Sequence, residues 1–149
     1  MPHFDRLILC FDGASKNNPH GPAGHGWTIH IMNAHGAKAK MIGSGWKYLG
    51  YKVSNNQAEY AGLLAALECL HINEISCRRL YIRGDSEIVI NQLNGFYKVR
   101  SPNIIPYHKA VMKTIHKVDC YFIKFTHIDR SQNYEADSNA QYAIRHRCQ

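Results

Sequence analysis

Eleven acidic residues are spread over 149 positions, and four of them stand where strands and helices end or begin: Asp12, Glu59, Asp85 and Asp137. Asp12 follows the β-prone apolar run at residues 7–11 and precedes a loop holding Gly13, Pro19, Gly21, Pro22 and Gly24. Asp85 comes two residues after a second such run, at residues 79–83. Glu59 and Asp137 each fall about one turn into a helical segment. Taken singly, such acids have ordinary uses. A carboxylate near a helix start complements the dipole for roughly 0.3–1 kcal/mol, and a strand-end Asp commonly opens a turn. Four acids converging on one rim of a chain with net charge +7 point elsewhere. Clustered carboxylates repel one another unless cations intervene, and oxygen-only ligation suits hard ions such as Mg²⁺ or Mn²⁺. Two such ions can activate water and stabilise the leaving oxygen in phosphodiester cleavage.

The elements that must position these acids are legible from periodicity. Residues 7–11 read as a strand buried on both faces, residues 27–31 as an alternating strand, and a third strand falls between residues 38 and 48. From about Asn55 the pattern turns helical, with an apolar stripe of Ala58, Ala61, Leu64, Ala65 and Leu67. A fourth strand at residues 79–83 ends at Gly84. Ser86 then caps a helix carrying Ile88, Val89, Ile90 and Leu93, closed by Gly95. Pro102 and Pro106 bracket a helix to about Lys117, residues 120–125 form the last strand, and a helix from about Asn133 to Arg145 completes the order β-β-β-α-β-α-α-β-α. That order predicts an α/β fold with a five-stranded mixed sheet flanked by helices. The first three strands form a meander and the later ones join through right-handed crossovers. Ligands of such sheets gather at the carboxyl ends of the central strands, where Asp12 and Asp85 are expected side by side.

Composition narrows the class. Hydrophobic residues make up 45% and charged residues 19%, which excludes a disordered chain, and the length suits one domain over residues 1–149. No apolar run approaches the roughly 20 residues of a membrane helix, so no membrane partner is expected. The apolar start at residues 7–11 is shorter than a signal-peptide core of roughly 7–15 residues, so an intracellular location is expected. Cys10, Cys69, Cys77, Cys120 and Cys148 contain no CxxC pair, which reads as reduced, largely buried thiols and not as a zinc site. The basic balance suits a polyanionic partner. Lys109, Lys113 and Lys117, four apart, are a candidate gripping stripe, preceded by Lys98 and Arg100.

Four motifs then carry a resemblance. The segment Phe11-Asp12-Gly13-Ala14-Ser15 with Asn18-Pro19 and Gly21-Pro22-Ala23-Gly24 resembles the opening of small single-domain ribonucleases H of type I. So do Ser54-Asn55-Asn56-Gln57-Ala58-Glu59-Tyr60, Gly84-Asp85-Ser86 with Asn91-Gln92, and the ending His127 to Arg130, Asn133 and Glu135-Ala136-Asp137. The resemblance runs in order over residues 7–143, with neither the basic handle nor the hybrid-binding domain that some members carry. It implies a ribonuclease H-like fold and a monomeric endonuclease that cuts the RNA strand of RNA–DNA hybrids with two Mg²⁺ or Mn²⁺ ions, leaving 5′-phosphate and 3′-hydroxyl ends. By the same resemblance Asp12 bridges both ions, and Asp137 holds the one on the attacking-water side. Glu59 and Asp85 hold the ion facing the leaving 3′ oxygen, and His127, on a flexible loop, assists proton movement or product release. Asn18, Asn55 and Gln92 are implied contacts to the nucleic acid, and Ser54 to a DNA phosphate. Neutral amides can read 2′-hydroxyls and minor-groove edges. Two departures stand out: Ser138-Asn139-Ala140 replaces a Leu-Ala-like continuation, and Asp129 stands where related sequences often have Pro. The competing readings are a non-cleaving nucleic-acid-binding module, or another nuclease, on the same fold. The four acids with His127 disfavour the first, and the amide residues disfavour the second.

Overall fold

Strand β1 (His3–Ser15) lies at the centre of a five-stranded sheet ordered β3-β2-β1-β4-β5 in the computed structural model, which describes residues 2–147. Its core, Leu7, Ile8, Leu9, Cys10 and Phe11, is fully buried. Each such apolar side chain contributes roughly 1.5–3 kcal/mol on burial. Together they offset the cost of holding a poorly solvated carboxylate at residue 12. β2 (Ala23–Met32) and β3 (Lys38–Gly50) continue the meander antiparallel, while β4 (Ser76–Gly84) and β5 (Cys120–His127) are parallel to β1. The α/β fold with a five-stranded mixed sheet is therefore as the sequence indicates.

Four helices flank the sheet: α1 (Asn55–Ile72), α2 (Glu87–Leu93), α3 (Ile105–Ile115) and α4 (Tyr134–His146). Ser54 caps α1 in a full capping box, its hydroxyl accepting from Gln57 N–H while the Gln57 side chain accepts from Ser54 N–H. Ser86 caps α2 by accepting from Val89 N–H. α1, α2 and α3 build the large apolar core on one sheet face, and α4 packs over β2, β1 and β3 on the other.

Several expectations shift. β1 runs three residues beyond Asp12, because Gly13, Ala14 and Ser15 stay paired with His25, Gly24 and Ala23. Asp12 thus lies inside a strand and not at its end. The buried residues of α1 are Ala58, Glu59, Tyr60, Gly62, Leu63, Ala66, Leu67 and Leu70, while Ala61, Leu64 and Ala65 are half-buried. α1 is gripped by the sheet on one side and α3 on another, so its sequence is apolar nearly all round and the stripe has no clear phase. Lys109 and Lys113 are exposed on α3, but Lys117 lies past its end. Cys10 and Cys77 are buried, Cys69 and Cys120 half-buried, and all four are free thiols; Cys148 lies outside the described residues. The Cys77 and Cys120 sulfurs face each other at 3.6 Å across β4 and β5. No helix of the described residues is long and apolar enough to cross a membrane.

Candidate active site

Two close approaches bring helices onto Asp12. A Cβ at Gly13 would lie 2.3 Å from Ala58 C and Glu59 N, so only glycine lets the first turn of α1 rest on β1 and deliver Glu59. A Cβ at Gly26, the ladder partner of Asp12, would lie 2.4 Å from Ala136 O, so α4 approaches from the other side and delivers Asp137. Asp85 follows β4 directly, one position nearer the strand than its sequence suggested. The result is a cluster in which Asp12, Glu59 and Asp85 each offer a carboxylate oxygen within 4.8 Å of the others. Asp137 stands in the same cleft, about 490 Å³, but outside that cluster.

The cluster is electrostatically strained. Asp12 and Glu59 are each 5% exposed, and Glu59 Oε2 is buried without a hydrogen-bond partner. Burial, with the neighbouring Asp85 and Asp137 carboxylates, pushes Asp12 up to about 7. Burial and the adjacent Asp12 hold Glu59 well above the usual carboxylate range. Desolvation and like charge both favour the neutral acids, and a bound divalent cation reverses that preference. An unpartnered buried oxygen beside two more carboxylates is a donor set that fits a hard cation.

Asn133 is fully buried and locks the arrangement. Its Nδ2 donates to Phe11 O at 2.9 Å and to Asp85 Oδ2 at 3.1 Å, tying the start of α4 to β1 and to the second acid. As the residue before a helix it reads in sequence as a cap, yet its side chain makes no cap bond. Lys16 and Arg130 line the cleft as cations, neither evident from the sequence. Arg130 Nη2 lies 4.0 Å from Asp137, and Lys16 donates to Gln141 at 2.9 Å. Asp129 accepts from Ser131 and caps a short 3₁₀ turn (Arg130–Gln132), while Asn139 donates to Trp27 O and Gly45 O. Both departures from the family pattern are thus absorbed by hydrogen bonds.

The other expected residues fall as follows. His127 is the last residue of β5, paired with Gly84, and not a loop residue; its Nε2 meets Asp85 O at 3.2 Å. Asn55 lines the acidic cleft, its Oδ1 accepting from Ser15 N–H at 2.7 Å, and Asn18 Oδ1 accepts from Asn55 N–H at 3.0 Å. Because backbone N–H groups occupy both amide oxygens, the two NH₂ groups remain available as donors. Gln92 accepts from Tyr60 Oη at 2.7 Å and lines a separate cleft with Tyr97, Lys98 and Lys109.

Comparisons with known proteins agree with this architecture. The family model described as reverse transcriptase-like matches residues 10–143. Ribonuclease HI of Halobacterium salinarum is 34% identical over 139 residues, which cover 93% of this chain; the chain spans 64% of that relative's length. The crystal structure of RNase H1 from the same archaeon is 32% identical with a TM-score of 0.81, covering 95% of this chain and 98% of that one. LC11-RNase H1, solved in complex with an RNA/DNA hybrid, is 29% identical with a TM-score of 0.83 and the same coverage. With the sheet order, the acidic cluster and these matches in agreement, the chain belongs to the ribonuclease H family.

Proposed function

We propose that the chain is an intracellular, monomeric endonuclease that hydrolyses the RNA strand of RNA–DNA hybrids, leaving 5′-phosphate and 3′-hydroxyl ends. The observation that carries the reading is the buried cluster of Asp12, Glu59 and Asp85 with its unpartnered Glu59 oxygen. A module that only bound nucleic acid would gain nothing from an acidic centre that repels phosphates. Two divalent ions, Mg²⁺ or Mn²⁺, supply when bound a water activated at neutral pH and charge stabilisation for the leaving oxygen. Glu59 and Asp85, with Asp12, would hold the ion on the leaving 3′-oxygen side. Asp12 and Asp137 would hold the ion on the attacking-water side. Asn133 keeps Asp85 oriented. His127, whose Nε2 meets the Asp85 carbonyl, would accept or return a proton.

The chain also offers donors to the substrate. Asn18 and Asn55 present amide NH₂ groups, and Gln92 presents another beyond Tyr60. Ser54 Oγ accepts from Gln57 N–H, leaving its hydroxyl hydrogen for a DNA phosphate at the α1 N-terminus. Purified protein with Mg²⁺ or Mn²⁺ and a hybrid labelled on either strand tests the proposal. RNA fragments carrying 5′-phosphates, absent with folded Asp12→Asn, support it; a cut DNA strand or an equally active Asp12→Asn overturns it.

A further inference from the structure

The face of β4 and β5 on the α4 side is covered by no helix that reaches as far: α4 lies over β1, β2 and β3, and the other helices pack on the opposite face. Pairing places Arg79 beside Phe122, Tyr81 beside Lys124 and Arg83 beside Thr126 on that open face. Phe122 is 45% exposed, Arg79 and Lys124 are exposed, and Tyr81 and Arg83 are half-buried. The Arg79 guanidinium sits 5.7 Å above the Phe122 ring, and Tyr81 meets the same ring edge-on at 6.2 Å. Among the described residues none of Arg79, Arg83 and Lys124 makes an ion pair. Where the face meets α4 it deepens into a cleft of about 470 Å³ lined by Lys38, Arg83, Thr126 and Tyr134. Its one acid, Glu135, is held by Lys38 at 2.9 Å and His30 at 3.6 Å.

We infer that this face binds single-stranded nucleic acid. The unpaired cations suit an anionic occupant. The exposed aromatic and guanidinium surfaces add nothing against a duplex, whose bases are hidden, but offer stacking platforms to unpaired bases. An acidic peptide would satisfy the charges and leave the rings unused. Arg79 and Arg83 are about 13 Å apart along the strand, a span of a few nucleotides. The strands run from this face toward the acidic residues, since Arg83 lies two residues before Asp85 and Thr126 immediately before His127. A single-stranded extension leaving the cleft would continue along β4 and β5.

Binding is measured without cutting, by anisotropy of a short fluorescent single-stranded RNA on Asp12→Asn protein free of divalent ions, so the result stands apart from the proposed hydrolysis. Adding Arg79→Glu with Lys124→Glu should weaken single-strand binding about tenfold. It should also flatten the slope against log[salt] by about 0.7 per lost phosphate contact. Phe122→Ala should weaken it about fivefold with the slope kept. Affinity for a blunt hybrid should stay within about twofold, since phosphate contacts elsewhere carry it. Lys124→Glu alone, at an exposed position, serves if the double variant loses its melting transition. Unchanged single-strand affinity, an equal loss for blunt hybrid, or tighter binding of an oligoglutamate peptide than of RNA would overturn the assignment.

Discussion

The acidic cleft has a tight half and a loose half. Asp12, Glu59 and Asp85 are drawn together by a strand, a helix start locked on Gly13, and an Asn133 clamp, all set in the core. Asp137 comes from α4 and faces Asp12 from outside that group, its carboxylate also meeting Gln141 at 3.5 Å and Arg130 at 4.0 Å. The fold thus holds three carboxylates together at a cost in repulsion and leaves the fourth at the edge of the group; under the proposed two-ion reading the first three would hold one ion and Asp137 would help hold the second. The tight half belongs to the stability of the protein as much as to its chemistry.

The comparison can be broken most directly at Asp12. Asp12→Asn neutralises the carboxylate proposed to serve both ions and should lower cleavage by on the order of 10³-fold, about 4 kcal/mol of barrier. The same change relieves like-charge repulsion, so the metal-free variant should melt higher than wild type at pH 8. A lower melting temperature would mean that the cluster is not strained.

His25 gives a control buried like the cluster, where burial disfavours a positive charge in place of a negative one. Burial and then the charge of Lys47 depress it from 6.5 to about 4, and its buried Nδ1 has no partner. The unfolded chain therefore binds the extra proton between pH 6.5 and 4. Stability contributed by neutral His25 is full above pH 6.5 and falls as pH drops through that window, by on the order of 3 kcal/mol. Denaturant melts from pH 7 to 4 should show this slope, and His25→Leu should lack it.

Gly13→Ala tests how the tight half is assembled. The new methyl has no room against the α1 backbone, and the required shift should cost about 2 kcal/mol. Activity should fall with it as Glu59 moves; full activity in a folded variant would detach Glu59 from the site. The smallest effect belongs to the loose half. Asp137→Asn neutralises a carboxylate outside the buried group and should lose about tenfold in kcat, or about 1.4 kcal/mol, with a higher metal concentration needed for half-maximal rate. A loss equal to that of Asp12→Asn would erase the distinction.

Much of this molecule can be read from its residues. The apolar runs and the Ser86 cap define the element order, and the spacing of the acids finds Asp12, Glu59 and Asp85, although Asp12 lies within its strand and Asp137 stands outside their group. The parts that escape are tertiary. Gly13, Ala14 and Ser15 have little strand propensity and extend β1 only because β2 pairs with them. α1 is apolar on two sides, so its buried phase depends on where Gly62 nears the sheet. Asn133 looks like a helix cap until Phe11 O and Asp85 are seen beside it. The β4–β5 face depends on which residues alternate outward, and on α4 stopping short of them.

The most direct test of the account is one cleavage assay of the wild-type chain with Mg²⁺ and with Mn²⁺. It offers RNA–DNA hybrid, duplex RNA and duplex DNA of one sequence, each strand labelled in turn. Cutting of the RNA strand of the hybrid alone is expected. A folded protein that leaves the hybrid intact with both metals, or cuts duplex DNA as readily, would contradict it.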